Sequence, residues 1–330
     1  MEQLIEEFTS QISEALEIGK KASFSETNKA FKNIVICGLG GSGIGGSLVQ
    51  NLLSDKVSIP IIVSKTYTVP AFVNKDSLVI ISSYSGNTEE TLTCLKIANQ
   101  LECKVVCVTS GGAIKEIAQK DGLDLIEIPG GMPPRACLAY SSVQLFYVLN
   151  AFGIIDNTFE KELSQTISNL DNNKAAIKTE AKELAKNLIG KTPIIYSADN
   201  FEAVAIRFRQ QINENSKMLA WHHALPEMNH NELVGWRIKD NNQAVVYLRN
   251  ETDLARIQTR MELNKKIISE YTPNIYEIWS KGSSSLERAF YTINLSDWVS
   301  LYLSNLRGVD TTEVNVIDFL KGELAKENNV

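Results

Sequence analysis

Apolar residues along this chain follow two alternating patterns. Short runs with little polar interruption, NIVIC at 33–37, IPIIV at 59–63, LVIIS at 78–82, KVVCVT at 104–109 and LDLIEIP at 123–129, are separated by helix-patterned segments at 42–54, 88–100 and 112–120. Apolar runs this short read as strands buried on both faces, and their alternation with helices predicts a parallel sheet covered on both sides. A helix over 136–152 follows, closed by the break at Gly153, Asp156 and Asn157, and a stretch rich in Lys, Glu and Ala predicts a long helix over 158–189. The alternation then resumes with PIIYSA, a helix over 201–218, AVVYL, a helix over 253–270, NIYEIW, and helices over 285–304 and 313–327. The expected architecture is α/β, with two doubly wound, flavodoxin-like parallel sheets in three αβα layers, one in a domain 1–155 and one in a domain 156–330. No long linker or low-complexity tract separates the halves, so they are expected to pack closely around a cleft.

Composition narrows the function classes. The 330 residues include 33 Lys plus Arg against 39 Asp plus Glu, a net charge of −6, with 44% hydrophobic and 22% charged residues. That is globular and long enough for two cores. No Lys/Arg run exceeds two residues, which argues against nucleic acid or an anionic membrane surface as the main partner. The start, MEQLIEEFTSQISEALEIGKK, is acidic and helix-patterned, so no signal peptide is expected, and no apolar run approaches the roughly 20 residues of a membrane span. Cys37, Cys94, Cys103, Cys107 and Cys137 sit in apolar or helical contexts and read as reduced thiols of a cytoplasmic protein.

Two segments suggest an anion site. NIVICGLGGSGIGGSLV carries a strand into Gly38, Gly40, Gly41, Gly43, Gly45 and Gly46 around Ser42, where the backbone can approach a ligand and a helix start offers unpaired N–H groups. Gly38, Gly40 and Gly43 also match a dinucleotide fingerprint. The next strand, however, ends in Ser64 and Lys65 where a ribose-binding acid is wanted. The second segment, LVIISSYSGNTEETL, places Ser83, Ser85 and Thr88 between a strand and a helix that starts with Glu89 and Glu90. One hydroxyl would suffice to cap that helix. The surplus predicts a neutral cup for a phosphate.

The run S-Y-S-G-N-T after a buried strand resembles the phosphate signature of the sugar isomerase (SIS) domain. Together with GGSGIGGS, PPRACLAYSS, NENSKMLAWHHALPEMNHNELVGW and DTTEVNVIDFLK, it resembles the bifunctional phosphoglucose/phosphomannose isomerases. The resemblance implies two SIS-like domains and a cofactor-free aldose-ketose isomerase acting on hexose 6-phosphates through a cis-enediolate, as a homodimer. It assigns phosphate binding to Gly41, Ser42, Ser83, Ser85 and Thr88.

Such a reaction moves a proton between neighbouring carbons, which one carboxylate can do from one face. Glu214, near the end of the helix in FEAVAIRFRQQINENSK, is the expected base, set against a plain helix-end glutamate paired with Lys217. Arg135, stiffened by Pro133 and Pro134, is the expected fixed cation for the enediolate. His230 is the expected ring opener, because an unperturbed imidazole titrates near neutral pH. Lys321 is assigned beside it by resemblance, although Thr312 and Glu313 stand where the family usually has a Thr-Pro pair. His223, Glu227 and His230 have a zinc-like spacing, but Pro226 breaks any helix that would align them and H-E-x-x-H is absent, so no metal is expected. The alternative class is a regulatory SIS protein that binds sugar phosphate without turnover.

Overall fold

The structure is a computed structural model describing residues 1–27 and 29–327. Helices α1 (Glu2–Glu6) and α2 (Phe8–Lys21) precede β1 (Asn33–Cys37), α3 (Gly40–Leu53), β2 (Ile61–Ser64), β3 (Ser77–Ser83), α4 (Glu89–Gln100), β4 (Lys104–Thr109), α5 (Gly112–Asp121) and β5 (Asp124–Glu127). These strands form one parallel sheet in the order β2-β1-β3-β4-β5. After α6 (Leu138–Ala151) and the long α7 (Thr158–Leu188) come β6 (Thr192–Ala198), α8 (Glu202–Ser216), β7 (Trp221–Leu225), β8 (Gln243–Arg249), α9 (Ala255–Ile268), β9 (Ile275–Trp279), α10 (Ser285–Arg307) and α11 (Asn315–Leu324). The second sheet is also parallel, in the order β7-β6-β8-β9.

The period-2 geometry of the strands sorts the apolar runs onto two faces. Ile34, Ile36, Ile80, Val106 and Val108 join one large core. Val35, Cys37, Val79, Ile81, Val105 and Cys107 face the other way, against Cys94, Leu95 and Ala98 of α4 and Ile114 and Ala118 of α5. The second sheet repeats this, with Ile195, Val246 and Leu248 in the large core and Ile194, Tyr196, Val245 and Tyr247 packed against Ile257, Met261 and Ile268 of α9. That large core runs without interruption from one sheet through residues of α2, α3, α6, α7, α8 and α10 to the other. Ile34 and Ile36 are fully buried in it, so truncating either to Ala is expected to cost roughly 2–5 kcal/mol.

The sequence pattern missed β7. Trp221-His222-His223-Ala224-Leu225 is not an apolar run, and it can be a strand because it lies on the sheet edge and pairs with β6 alone. His223 therefore lies on a strand, while Glu227 and His230 lie on a 3-10 turn. Cys37, Cys94, Cys107 and Cys137 are buried free thiols, and burial pushes Cys107 up to about 12 and Cys137 up to about 11. Among the described residues no helix is long and apolar enough to cross a membrane.

Candidate active site

Three loops converge at the carboxyl ends of β1 and β3, where the strand order of the first sheet reverses. The first is the glycine-rich start of α3. Ser42, buried in its first turn, accepts a hydrogen bond from the Tyr84 N–H at 3.1 Å, which ties this turn to the β3–α4 loop. A Cβ at Gly41 would lie 2.5 Å from the Pro134 carbonyl oxygen, so the missing side chain lets the turn close on the segment before Arg135.

In the β3–α4 loop, buried Ser83 donates to the Thr88 hydroxyl at 3.0 Å, and exposed Ser85 accepts from the Asn87 N–H at 3.3 Å. Thr88 occupies the N-cap position of α4 but makes no side-chain cap bond, so this hydroxyl does not serve the helix in the way the capping alternative required. The loop is braced from behind, where Asn87 Oδ1 accepts from Ala113 N–H at 2.9 Å and the Ser110 hydroxyl donates to the Tyr84 carbonyl at 2.6 Å. Hydroxyls and the N-terminal N–H groups of α4 therefore line one rim, with no charged side chain in 82–88.

Arg135 lies on a 3-10 turn, Pro134–Ala136, that begins immediately after Pro133. Its side chain is 5% exposed, and the guanidinium is gripped on several sides. Nε donates to Asn215 Oδ1 at 2.7 Å, and Nη2 donates to the carbonyls of Thr311 at 2.6 Å and Thr312 at 3.0 Å. Nη1 lies 3.5 Å from Glu214 Oε2. Burial pulls the guanidinium's pKa down, and the carboxylates of Glu214, Asp310 and Glu313 push it back up.

Glu214 sits in the last turn of α8 and keeps 31% of its side-chain surface open. Lys217 does not pair with its carboxylate. The ammonium instead donates to the Glu214 carbonyl at 2.6 Å and pairs with the Glu313 carboxylate at 3.4 Å, while Lys217 itself adopts the left-handed conformation that ends α8. The carboxylate of Glu214 is left to Arg135 and to the open side.

The contacts above thus link the first turn of α3 with Gly41 and Ser42, the end of β3 and its following loop with Ser83, Ser85 and Thr88, the turn with Arg135, and the last turn of α8 with Glu214. His230 and Lys321 stand apart. Both are exposed, and no hydrogen bond or ion pair among the described residues joins either to Glu214 or Arg135. His230 ends a turn held in place by its neighbours, since Glu232 accepts from Trp221 Nε1 at 3.1 Å and from the Tyr196 hydroxyl at 2.5 Å and bonds His223 Nδ1 at 2.7 Å. His222 accepts from Arg209 Nε at 3.2 Å, and its burial, with Arg209 nearby, lowers its pKa to about 4. Lys321 rides on α11, which has no buried residue and exposes Val316, Phe319 and Leu320.

The carbonyls of Thr311 and Thr312 were not anticipated, and Asn215, expected with Asn213 as a frame for Glu214, instead holds Arg135. Asn215 had a signal, because Arg207, Gln211 and Asn215 recur every four residues on an otherwise apolar helical face. The carbonyls had none, since every residue carries one.

Comparison with known proteins adds to this geometry. Residues 177–324 match the family described as the bacterial phospho-glucose isomerase C-terminal SIS domain. The chain is 40% identical over 327 residues to a bifunctional phosphoglucose/phosphomannose isomerase of Caldicellulosiruptor bescii, covering 96% of each. It is 39% identical over 299 residues to a protein of the same description from Aquifex aeolicus, covering 90% of this chain and 91% of the other. Among solved structures, the C-terminal domain of glucosamine-fructose-6-phosphate aminotransferase from Francisella tularensis superimposes with a TM-score of 0.75 at 14% identity, covering 95% of this chain and 97% of that one. That last likeness concerns the fold.

Proposed function

The chain belongs to the family of bifunctional phosphoglucose/phosphomannose isomerases, and we propose that it interconverts fructose 6-phosphate with glucose 6-phosphate and with mannose 6-phosphate through a cis-enediolate, without a cofactor. One observation carries this reading: a partly open carboxylate, Glu214, sits 3.5 Å from a buried guanidinium, Arg135, whose loop closes on a hydroxyl-lined strand end. The phosphate is held by the hydroxyls of Ser42, Ser83, Ser85 and Thr88 and the backbone at Gly41. Binding energy from that remote group orients the reacting carbons. Glu214 removes the proton from the carbon beside the carbonyl and returns it to the neighbouring one, while Arg135 faces the oxyanion that develops between them. Glucose and mannose phosphates differ at C2, so rotation of the opened sugar lets one base serve both.

Ring opening needs a proton donor, and His230 with Lys321 fills that role in this reading. Both are exposed in the single chain, and the apolar face of α11 is uncovered. A homodimer, in which one copy covers α11 of the other and brings His230 to its site, completes the set.

The test is a coupled isomerase assay with chelator present, on wild type and on Glu214→Gln. Loss of a general base is expected to lower kcat by about 10²–10⁴, with fructose 6-phosphate binding retained. Mixing that variant with His230→Ala chains should restore part of the activity in hybrid dimers. Unchanged turnover removes Glu214 from the mechanism, and wild-type binding without turnover assigns the chain to a regulatory class.

A further inference from the structure

The helices α8 and α10 meet inside the apolar core, yet a line of polar side chains runs along their contact. Arg207, Gln211 and Asn215 of α8 are each at most 2% exposed. Arg207 Nη2 donates to Asp297 Oδ2 of α10 at 2.7 Å, and Gln211 Nε2 donates to the other carboxylate oxygen at 2.8 Å. One turn on, Asn215 Nδ2 donates to the Ser300 hydroxyl at 3.0 Å, which itself donates to the Asp297 carbonyl at 2.7 Å. Further along α10, Ser304 shares a hydroxyl contact of 2.8 Å with Thr311 in the segment that follows the helix.

This arrangement is a poor choice for stability. Replacing a buried ion pair by apolar side chains of similar size is often neutral or stabilising. Here the Arg207 Nε is also buried without a hydrogen-bond partner among the described residues. What the line does contact is Arg135, and it does so from three directions. Arg207 Nη2 donates to the Arg135 carbonyl at 3.0 Å, Asn215 Oδ1 takes Nε, and Thr311, anchored by Ser304, takes Nη2 through its carbonyl. The loop and the guanidinium are thus both referenced to α10, and Glu214 projects from the same end of α8 that carries Asn215.

We infer that Arg207, Asp297, Asn215 and Ser300 are positioning residues for the isomerisation, fixing the Arg135 guanidinium relative to the Glu214 carboxylate. The inference rests on the functional reading above. None of the four needs to touch substrate. Their effect is confined to the step in which negative charge grows beside Arg135, so they govern kcat and affinity for an enediolate-like anion, and leave the phosphate grip alone.

The decisive variant removes both charges together, Arg207→Met with Asp297→Leu, since either change alone strands a buried charge. With the full chain, kcat is expected to fall roughly 20- to 100-fold, the range set by displacing a catalytic group by about 1 Å. KM should stay within about threefold, and circular dichroism should show the native fold, with a thermal midpoint lowered by no more than the loss of the acceptor for Gln211 Nε2 requires. Affinity for a five-carbon sugar-acid phosphate, whose carboxylate imitates the enediolate, should drop at least about tenfold, while affinity for inorganic phosphate stays within about twofold. A folded double variant with kcat within about twofold of wild type overturns the inference. If the double variant does not fold, Ser300→Ala decides. A fall in kcat of about tenfold at unchanged KM supports positioning, and an unchanged kcat overturns it. A wild-type chain that neither turns over hexose phosphates nor binds the sugar acid refutes the functional reading itself, which is a different failure.

Discussion

Each sheet has a loop at the carboxyl end of the strand beside its first strand, after β3 in one half and after β8 in the other. The backbone plan is the same, and the chemistry is opposite. After β3, residues 82–88 hold hydroxyls, glycine and an amide, and Thr88 leaves the start of α4 uncapped. After β8, the chain fills the equivalent turn with its own anion. Asp253, 5% exposed, accepts from the Asn250 N–H and from Asn250 Nδ2, both at 3.1 Å, and Ser280 closes over Asn250 at 2.5 Å. Arg249 beside it is already neutralised by Glu262 and Glu277 and stacks 4.6 Å from the centre of the Trp279 ring. At the second strand end a carboxylate of the chain has taken the first backbone N–H after the strand, that of Asn250, whereas after β3 no carboxylate among the described residues does so, and the starts of α4 and α9 are alike in lacking a side-chain cap.

The largest expected effect breaks the first loop. At Gly86, φ is +69° and an added Cβ would lie 1.8 Å from the Gly111 carbonyl oxygen. Gly86→Ala must therefore push the loop off its brace at 110–113, and kcat/KM should fall at least about 100-fold. Circular dichroism and steady-state kinetics on the same sample check this. An alanine variant with wild-type kinetics means that the loop shape is not what holds substrate.

A smaller effect sharpens the contrast between the loops. Hydrogen bonds to a charged group contribute about 1.5–3 kcal/mol each. Ser83→Ala or Ser85→Ala should therefore raise KM by roughly 10- to 100-fold, with kcat much less affected. The two positions differ in a useful way, because Ser83 is buried and bonded to Thr88 while Ser85 is exposed. Competition by inorganic phosphate should weaken in parallel with KM. A fall in kcat alone would move these serines from the phosphate to the reacting carbons.

These loops also show which parts of the molecule could be read from sequence. Strands such as NIVIC and KVVCVT were legible because both faces are buried, and Ser83, Ser85 and Thr88 stood out as more hydroxyls than one helix cap requires. Strand β7 was not legible, because an edge strand tolerates Trp221, His222 and His223. Glu214 and Arg135 could be picked out as candidates, yet their 3.5 Å approach depends on two segments 79 residues apart being brought together by the fold. The line from Arg207 to Asp297 spans 90 residues, and although the four-residue spacing of Arg207, Gln211 and Asn215 marked its α8 side, nothing local named Asp297 as the partner. His230 and Lys321 were picked out by motif and function, and their exposure could not be read from sequence, because the turn Glu227–His230 and the helix α11 carry them on the surface of the chain.

The smallest expected effect tests the second loop, where the outcome for catalysis is none. Burial raises the pKa of Asp253 above its ordinary 3.8, against the pull of Asn250 and Arg249. A carboxyl whose folded-state pKa is raised binds protons more readily in the native state than in the unfolded one. Its favourable contribution is therefore complete below about 3.8 and is lost as pH rises through the folded-state value. Asp253→Asn removes that loss, so the difference in thermal midpoint between variant and wild type should shift in the variant's favour from pH 4 to pH 7. The absolute midpoint can still fall, because an amide accepts at one atom where the carboxylate accepted at two. The slope of the difference carries the test, and kcat and KM should match wild type throughout. A flat difference means that Asp253 is ionised as easily in the fold as outside it. A change in KM would mean that the second strand end takes part in binding, and that the contrast between the two halves is smaller than their side chains imply.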